Sequence, residues 1–262
     1  MAGGRVTFSV PADAYDRFVG RYSYGLTDAL VSAAGIGAGS SMLDVGAGTG
    51  AGMRRLVELV GPSAVTAVDP SQPFVEALRA RFPGVDARLA SAEALPFDDG
   101  AFDAALAQLV VNFMKDPAAG VAEMRRVTRP GGTVAGCVWD YPGQMTMLRT
   151  FWDAAAVLDP EGAAAVDEAR MPFGRRGELA ELWRRAGLRE VEDGELVVAA
   201  AYDGFDDLWA PFTAGVGPAG AYAAALDDER REALRREYRL RLSVPDGPFE
   251  LEARAWYTVG RT

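Results

Sequence analysis

The sequence predicts an α/β fold in which helices cover both faces of a mostly parallel, doubly wound sheet. Short apolar segments of strand length alternate along the chain with segments whose apolar residues recur at helical spacing. The first apolar segment, residues 42–45, runs directly into a glycine-rich turn that begins a helix. Acidic residues stand at the ends of two of the predicted strands, where ligands of such sheets bind.

The elements follow one another in a regular order as far as residue 140. The predicted strands are 42–45, 64–68, 85–89, 102–107, 133–139, 191–200 and 249–259. The predicted helices are 12–34, a helix after residue 52, 72–81, 117–128, 145–158, a helix around 179–186, and at least two helices within 205–242. We expect Arg129 to Gly132 to form a turn, and the pair 159–160 to end a helix.

The composition indicates a globular chain with room for one large domain. It has 262 residues, of which 49% are hydrophobic, and a net charge of −10. Because proteins that grip phosphate backbones present a basic surface, we expect no nucleic-acid partner. One cysteine, Cys137, excludes an internal disulfide and fits a reducing compartment. The chain lacks both a long apolar run and a signal-peptide pattern, so we expect a cytoplasmic protein without a membrane span.

The absence of histidine limits the chemistry further. It excludes a Ser-His-Asp hydrolase and a zinc enzyme with histidine ligands. A carboxylate-held magnesium ion is formally possible, but no acidic cluster stands beside the glycine-rich turn. We therefore expect no metal.

The glycine-rich turn is the clearest candidate for a binding site. Gly46, Gly48 and Gly50 permit backbone angles that other residues avoid, and they let a ligand approach the main chain. The following helix N-terminus suits an anionic group. The spacing also fits a dinucleotide fingerprint, with Ala51 at its last position. However, Asp44 would repel a pyrophosphate, whereas it suits a cation such as an ammonium group.

A second acidic residue follows the second strand. Asp69, with Pro70 after it, stands about twenty residues beyond the turn. At that distance a carboxylate can accept hydrogen bonds from ribose hydroxyls. The alternative is that Asp69 only caps the next helix, although Ser71 is also able to do so.

Residues 44–50 resemble motif I of the class I S-adenosylmethionine (SAM)-dependent methyltransferases, in the type-11-like group that includes ubiquinone- and menaquinone-biosynthesis enzymes. Residues 90–97 and 128–132 resemble two further segments of that family. The resemblance implies a Rossmann-like, seven-stranded sheet whose last strand, 249–259, is antiparallel. It implies SAM as the cofactor, with Asp44, Gly46, Ala47, Gly48 and Gly50 beside it.

The resemblance also assigns the two ends of the cofactor. Ser91, Ala92 and Glu93 are placed at the adenine, although the family usually has aspartate where this chain has Ser91. Gln108 is placed at the methionine end, where Asn112 or Phe113 would face the transferred methyl group.

Residues 15–23 resemble the N-terminal segment that covers bound SAM in small-molecule methyltransferases. The resemblance makes Tyr15 and Arg21 candidates for a cap near the methionine end. The alternative for the aromatic residues of this segment is core packing.

The chain is expected to form a single domain over residues 1–262. Its core comprises about 35–140, 176–202 and 246–262, and two helical insertions, about 142–175 and 203–245, would form a lid. Six large residues of the insertions indicate either a small, partly apolar acceptor or the core of the lid itself: Met145, Met147, Phe151, Trp152, Trp209 and Phe212.

The functional expectation is SAM-dependent methyl transfer to a small, partly apolar molecule. The acceptor atom (oxygen, nitrogen or carbon) and the oligomeric state stay open. No catalytic base is assigned, because Asp140, Tyr141 and Asp153 equally suit capping and packing. One alternative is a non-catalytic SAM-binding module, for which Ser91 is the hint. The other is a nicotinamide-dependent oxidoreductase, which Asp44 and the lack of a Tyr-x-x-x-Lys pair oppose.

Overall fold

A computed structural model describes residues 16–262, which form a seven-stranded sheet flanked by helices. The strand order is β3-β2-β1-β4-β5-β7-β6. The strands are β1 (Met42–Val45), β2 (Val65–Asp69), β3 (Asp86–Leu89), β4 (Phe102–Gln108), β5 (Thr128–Trp139), β6 (Arg189–Tyr202) and β7 (Phe249–Arg261). The strand β7 is antiparallel to both β5 and β6, and the other pairs are parallel. The predicted fold class is therefore confirmed.

The described helices are α1 (Gly20–Ala33), α2 (Met53–Val60), α3 (Gln72–Arg81), α4 (Pro117–Val127), α5 (Thr146–Leu158), α6 (Pro160–Val166), α7 (Glu178–Arg185), α8 (Phe205–Thr213), α9 (Gly217–Ala225) and α10 (Asp228–Leu242). None of the helices in the described part of the chain is long and apolar enough to cross a membrane.

Two helices cover opposite faces of β5. Trp183 of α7 lies against Gly136, where an added Cβ would come within 2.9 Å of the indole, and it donates a hydrogen bond to the Val134 carbonyl. Trp139 instead meets Tyr22 of α1 edge to face, with 5.7 Å between ring centroids. Because strand side chains alternate between faces, residues 136 and 139 point to opposite sides. The sheet is thus buried between two layers, which explains the uninterrupted apolar composition of its central strands.

The predicted turn at residues 129–132 is an irregularity inside β5. The pairing with β4 jumps from Phe102–Thr128 to Ala104–Thr133, so the intervening residues of β5 bulge out. Gly131 permits the bulge with a φ of 75°. The end of β7 keeps the segment extended, because the Thr262 amide donates to the Gly132 carbonyl over 3.2 Å. A signal for a turn and a signal for a bulge look alike in the sequence.

The region after β5 contains more helices than the sequence predicts. The pair 159–160 ends α5, as predicted, and Asp159 also begins the next helix, because its carboxylate accepts from the Gly162 amide. Three helices lie between β6 and β7, which agrees with the expectation of at least two.

The large apolar residues of this region form their own core. The Phe151 and Phe212 rings stack with centroids 4.6 Å apart, and Trp209 contacts both rings. Tyr238 meets Phe212 edge to face. All four side chains are buried. These aromatic contacts therefore favour the second of the two interpretations, a core within the helical insertions.

Candidate functional site

A cavity of about 430 Å³ opens at the carboxyl ends of β1, β2 and β4, where ligands of doubly wound sheets bind. Ten of the predicted site residues line it: Asp44, Gly46, Ala47, Gly48, Asp69, Pro70, Ser91, Ala92, Glu93 and Gln108. Several other lining residues were not predicted from the sequence, among them Ser23, Thr27, Thr49, Gly52, Val110, Met114 and Lys115.

The three glycines of the turn have different surroundings, although all have positive φ. An added Cβ at Gly48 would meet no described heavy atom within 4 Å, so the backbone there is open to a ligand. At Gly46 it would come within 2.3 Å of the Val110 side chain. At Gly50 it would come within 2.7 Å of Leu78 and Phe82. Gly50 is not part of the cavity wall, and it allows the turn to pack closely against α3.

The backbone of the turn is held by the neighbouring strand. The amides of Gly46 and Ala47 donate to the Val68 carbonyl, and the Gly48 amide donates to Asp69 Oδ2 over 2.9 Å. These amides are therefore engaged within the protein. At the start of α2 the amides of Met53 and Arg55 donate to the Gly50 and Gly52 carbonyls over 3.0 Å and 3.1 Å, and Gly52 lines the cavity. These two amides are thus also engaged within the protein.

Two buried carboxyl groups lie at the ends of β1 and β2. Burial, and to a smaller extent the charge of Asp69, raises the pKa of Asp44 to about 7. Burial also raises the pKa of Asp69, while hydrogen bonds from the Ser71 and Gly48 amides oppose the shift. Because both amides hold its carboxylate, Asp69 braces the turn as well as lining the cavity. A cationic group between the two carboxyls would favour their charged forms.

Another part of the cavity wall is held by Glu93, which ties two loops together. Its Oε1 accepts from the Lys115 amide over 2.8 Å and from the Asp116 amide over 3.2 Å. Its other oxygen accepts from the Ser91 hydroxyl. Glu93 thus shapes the wall, and the Ser91 hydroxyl is directed towards Glu93.

Besides Gly50, two of the predicted cofactor residues are not placed at the cavity. Arg21 does not line it, because its guanidinium pairs with Asp207 and donates to the Ala201 carbonyl over 3.0 Å. It therefore joins α1 to β6 and α8, and the expected cap at the methionine end is not supported for this residue. Tyr15 lies outside the described residues.

The acidic residues considered as catalytic bases are engaged elsewhere. Asp140 is buried and accepts from Arg254 Nη2 over 2.7 Å and from the Gln144 amide. Asp153 pairs with Arg149. Phe113 reaches the cavity wall, whereas Asn112 lies behind it and donates to the Tyr141 hydroxyl over 3.4 Å.

Lys115 is the only lysine of the chain, and it lies on the rim of the cavity. Every other basic side chain is an arginine, and none of the described arginines lines this cavity. The sequence offered a signal for this position in the single lysine itself, but nothing showed that the loop after β4 would bring it to the rim.

Two relatives match this chain over most of their own length. A demethylmenaquinone methyltransferase from Roseiflexus castenholzii is 30% identical over 200 aligned positions. The match covers 70% of this chain and 84% of that protein. An uncharacterized protein from Mycobacterium tuberculosis is 30% identical over 234 aligned positions. That match covers 85% of this chain and 82% of that protein. A family model described as a methyltransferase domain matches residues 43–136.

Other relatives are matched over a shorter part. The chain spans 34% of a Streptomyces fradiae transposon protein, with 39% identity over 127 residues. It spans about half (52%) of an uncharacterized methyltransferase from Mycobacterium tuberculosis, with 38% identity over 135 residues.

Solved structures share the fold at low identity. A phosphoethanolamine N-methyltransferase from Haemonchus contortus, in complex with phosphomonomethylethanolamine and S-adenosylhomocysteine, has a TM-score of 0.60 and 15% identity. The match covers 96% of this chain and 56% of that chain. The [4+2]-cyclase SpnF has a TM-score of 0.55 and 23% identity over 91% of this chain and 80% of that chain. At these identities the likeness concerns the fold alone.

Proposed function

Since this chain belongs to the methyltransferase family, with S-adenosylmethionine as the cofactor expected from its motifs, we propose that it transfers a methyl group from SAM to a small molecule. The acceptor is a small, partly apolar compound. The assignment of SAM to the cavity rests on the chemistry of the residues that line it.

The observation that carries the proposal is the buried Asp44 carboxyl beside an open glycine backbone. A pyrophosphate ligand would meet a carboxylate there, whereas the ammonium of a methionine moiety would neutralise it. Gly48 leaves room for the ligand at the same point. The residues therefore fit SAM better than they fit a dinucleotide.

The remaining cavity residues suit the other parts of the cofactor. We assign Asp69 to the ribose hydroxyls, since its carboxylate keeps lone pairs beyond those that the Gly48 and Ser71 amides occupy. We assign Ser91 and Ala92 to the adenine, and Gln108 to the methionine end. The Ser91 hydroxyl then contributes by accepting a hydrogen bond, since its proton is given to Glu93.

Bound SAM supplies a methyl group on a positively charged sulfur, which is already an activated leaving group. The task of the protein is then to align the acceptor with that methyl and to exclude water. Phe113 and Met114, on the wall of the cavity, offer apolar surface for the acceptor. We assign no general base, because Asp140 and Asp153 are engaged in ion pairs. We further propose that residues 142–175 and 203–245 act as the lid.

Calorimetric titration with SAM, S-adenosylhomocysteine and NAD tests the cofactor. We expect micromolar binding of the two adenosyl ligands and at least about tenfold weaker binding in Asp69→Asn, because a charge-assisted hydrogen bond contributes about 1.5–3 kcal/mol. The fully exposed Asp228 provides the control variant Asp228→Asn, which should bind like the wild type. Binding of NAD alone, or of none of the three ligands, would overturn the proposal.

Enzymatic turnover needs a separate measurement. Formation of S-adenosylhomocysteine from SAM, followed with a panel of small phenols, amines and quinols, should reveal the acceptor class. A protein that binds SAM tightly but methylates nothing in cell extracts or in the panel would instead be a SAM-binding module.

A further inference from the structure

Two side chains and one backbone carbonyl form a polar network where α1 meets the end of β4. The Thr27 hydroxyl lies 2.9 Å from Gln108 Oε1 and 2.8 Å from the Ser23 carbonyl oxygen. The Gln108 Nε2 atom lies 3.3 Å from the same carbonyl oxygen. Ser23 and Thr27 are buried, and all three residues line the cavity.

The network determines which way the Gln108 amide faces. The Thr27 hydroxyl donates to Oε1, sharing its hydrogen with the Ser23 carbonyl, while Nε2 donates to that carbonyl. If the amide were flipped, its oxygen would face the carbonyl oxygen of Ser23, and no hydrogen would lie between these two acceptors. In the observed orientation one hydrogen of Nε2 is engaged by Ser23. Among the described residues no acceptor takes the second hydrogen.

A glycine makes room for this network. An added Cβ at Gly52 would come within 2.3 Å of the Thr27 hydroxyl and 3.3 Å of Gln108 Nε2. Gly52 immediately precedes α2, so the network borders the start of this helix. The amide of Gln108 and this helix start therefore lie on the same part of the cavity wall.

The strand register places Gln108 beside Asp44. Asp44 pairs with Leu106 across β1 and β4, and Gln108 follows two residues later on the same face of the sheet. At strand spacings of about 4.8 Å and about 3.3 Å per residue, the two Cα atoms are about 8 Å apart. The two side chains can thus contact neighbouring groups of one small ligand.

We propose that Gln108 Nε2 donates to the α-carboxylate of the cofactor's amino-acid moiety, and that Thr27 is the positioning residue that holds the amide in this orientation. The inference rests on the proposed function, because it assumes that the ammonium of the same moiety meets Asp44. Lys115, the cation of the cavity rim, belongs to the loop whose backbone Glu93 holds. In this proposal the carboxylate is recognised by the neutral N–H group of Gln108.

A pair of ligands that differ in the carboxylate tests the proposal. S-adenosylhomocysteine and its decarboxylated analogue, S-adenosyl-3-thiopropylamine, are titrated by calorimetry into the wild type, Thr27→Val and Thr27→Ser. Valine keeps the shape of threonine without the hydroxyl, whereas serine keeps the hydroxyl. We expect Thr27→Val to weaken S-adenosylhomocysteine about tenfold and to leave the analogue within about twofold, because a hydrogen bond to a charged group is lost. Thr27→Ser should bind both ligands like the wild type.

Introducing a negative charge in place of the amide gives an independent test should Thr27→Val fold poorly in a thermal melt. Gln108→Glu places a carboxylate where the amide stands, so it should weaken S-adenosylhomocysteine by about tenfold or more and bind the analogue at least as well as the wild type does. Equal loss of both ligands in these variants, or no loss of either, would overturn the inference. Absence of S-adenosylhomocysteine binding to the wild type would overturn the proposed function and the inference with it.

Discussion

Replacing Asp44 by asparagine should separate the charge of this residue from its shape. In the free protein the pKa of the Asp44 carboxyl is about 7, because the group is buried and lies near Asp69. A bound ammonium would return the pKa towards its ordinary value of about 4, so binding below pH 7 must release a proton. From these values the free carboxyl is about 97% protonated at pH 5.5, and wild-type affinity for S-adenosylhomocysteine should rise about 15-fold between pH 5.5 and pH 7.

The same substitution, although it should weaken ligand binding, should make the ligand-free protein more stable at high pH. The pKa of Asp44 in the folded state lies above its value of about 3.9 in the unfolded chain, so the folded state loses stability as the pH rises from about 4 to about 7. At about 1.4 kcal/mol per pKa unit the loss approaches about 4 kcal/mol. Asp44→Asn has no charge to bury, and without ligand it should be more stable than the wild type at pH 8.

Calorimetry at pH 5.5, 6.25 and 7, with urea denaturation at pH 5.5 and pH 8, checks both parts. Asp44→Asn should bind S-adenosylhomocysteine about 10- to 100-fold more weakly at pH 7 and show little pH dependence. Asp228→Asn, on the exposed start of α10, should keep the wild-type pH dependence. If wild-type affinity does not change between pH 5.5 and pH 7, or if Asp44→Asn retains the change, the ammonium does not meet Asp44 and the reasoning fails.

Three further predictions concern the turn, the cavity rim and the helical insertions. Gly46→Ala should lower the free energy of unfolding by about 1–3 kcal/mol more than Gly61→Ala, measured in urea, because both positions have positive φ but only the Cβ at 46 meets a side chain; equal losses would contradict this. Amine-selective acetylation should modify one side chain, Lys115, and bound S-adenosylhomocysteine should slow it, as peptide mass spectrometry would show; an unchanged rate would place the ligand elsewhere. Burial raises the pKa of Glu168 to about 7, so wild-type stability should fall by about 1.4 kcal/mol from this group between pH 6 and pH 8. Glu168→Gln should remove that part of the fall, and an unaltered pH profile in urea would contradict it.

The sheet could be predicted from the sequence because its strands are short, buried and separated by strong helix and turn signals. The elements after β5 were harder to predict, since the same local sequence signal there is compatible with two structures. The pair Asp159-Pro160 can end one helix, but aspartate is also a preferred N-cap and proline a preferred first residue of the next helix. The structure uses the pair in both ways. Likewise, the glycines near residue 131 permit either a turn or a bulge, and pairing with β7 decided between them.

Some residues of the candidate site could be predicted from the sequence, and others could not. Asp44, Asp69 and Gln108 could be brought together from the sequence, because the carboxyl ends of parallel strands meet at one edge of a sheet. Thr27 could not, although it stands four residues after Ser23 as a second small polar residue on the buried face of a helix. Its importance depends on a contact with a residue 81 positions away. The ion pair of Arg21 could not be predicted for a similar reason, since its partner Asp207 lies in a helix far away along the chain.

The placement of β7 between β5 and β6 has a consequence for the order in which the molecule is assembled. Within the described residues β6 finds its sheet partner in β7 alone, and three helices separate the two strands along the chain. During synthesis β6 must therefore wait, unpaired, until the residues of β7 have left the ribosome. Once formed, the two strands depend on each other, because β7 cannot detach from β5 without carrying β6 away from the sheet. They therefore constitute one cooperative unit, which is complete only after β7 has been synthesised.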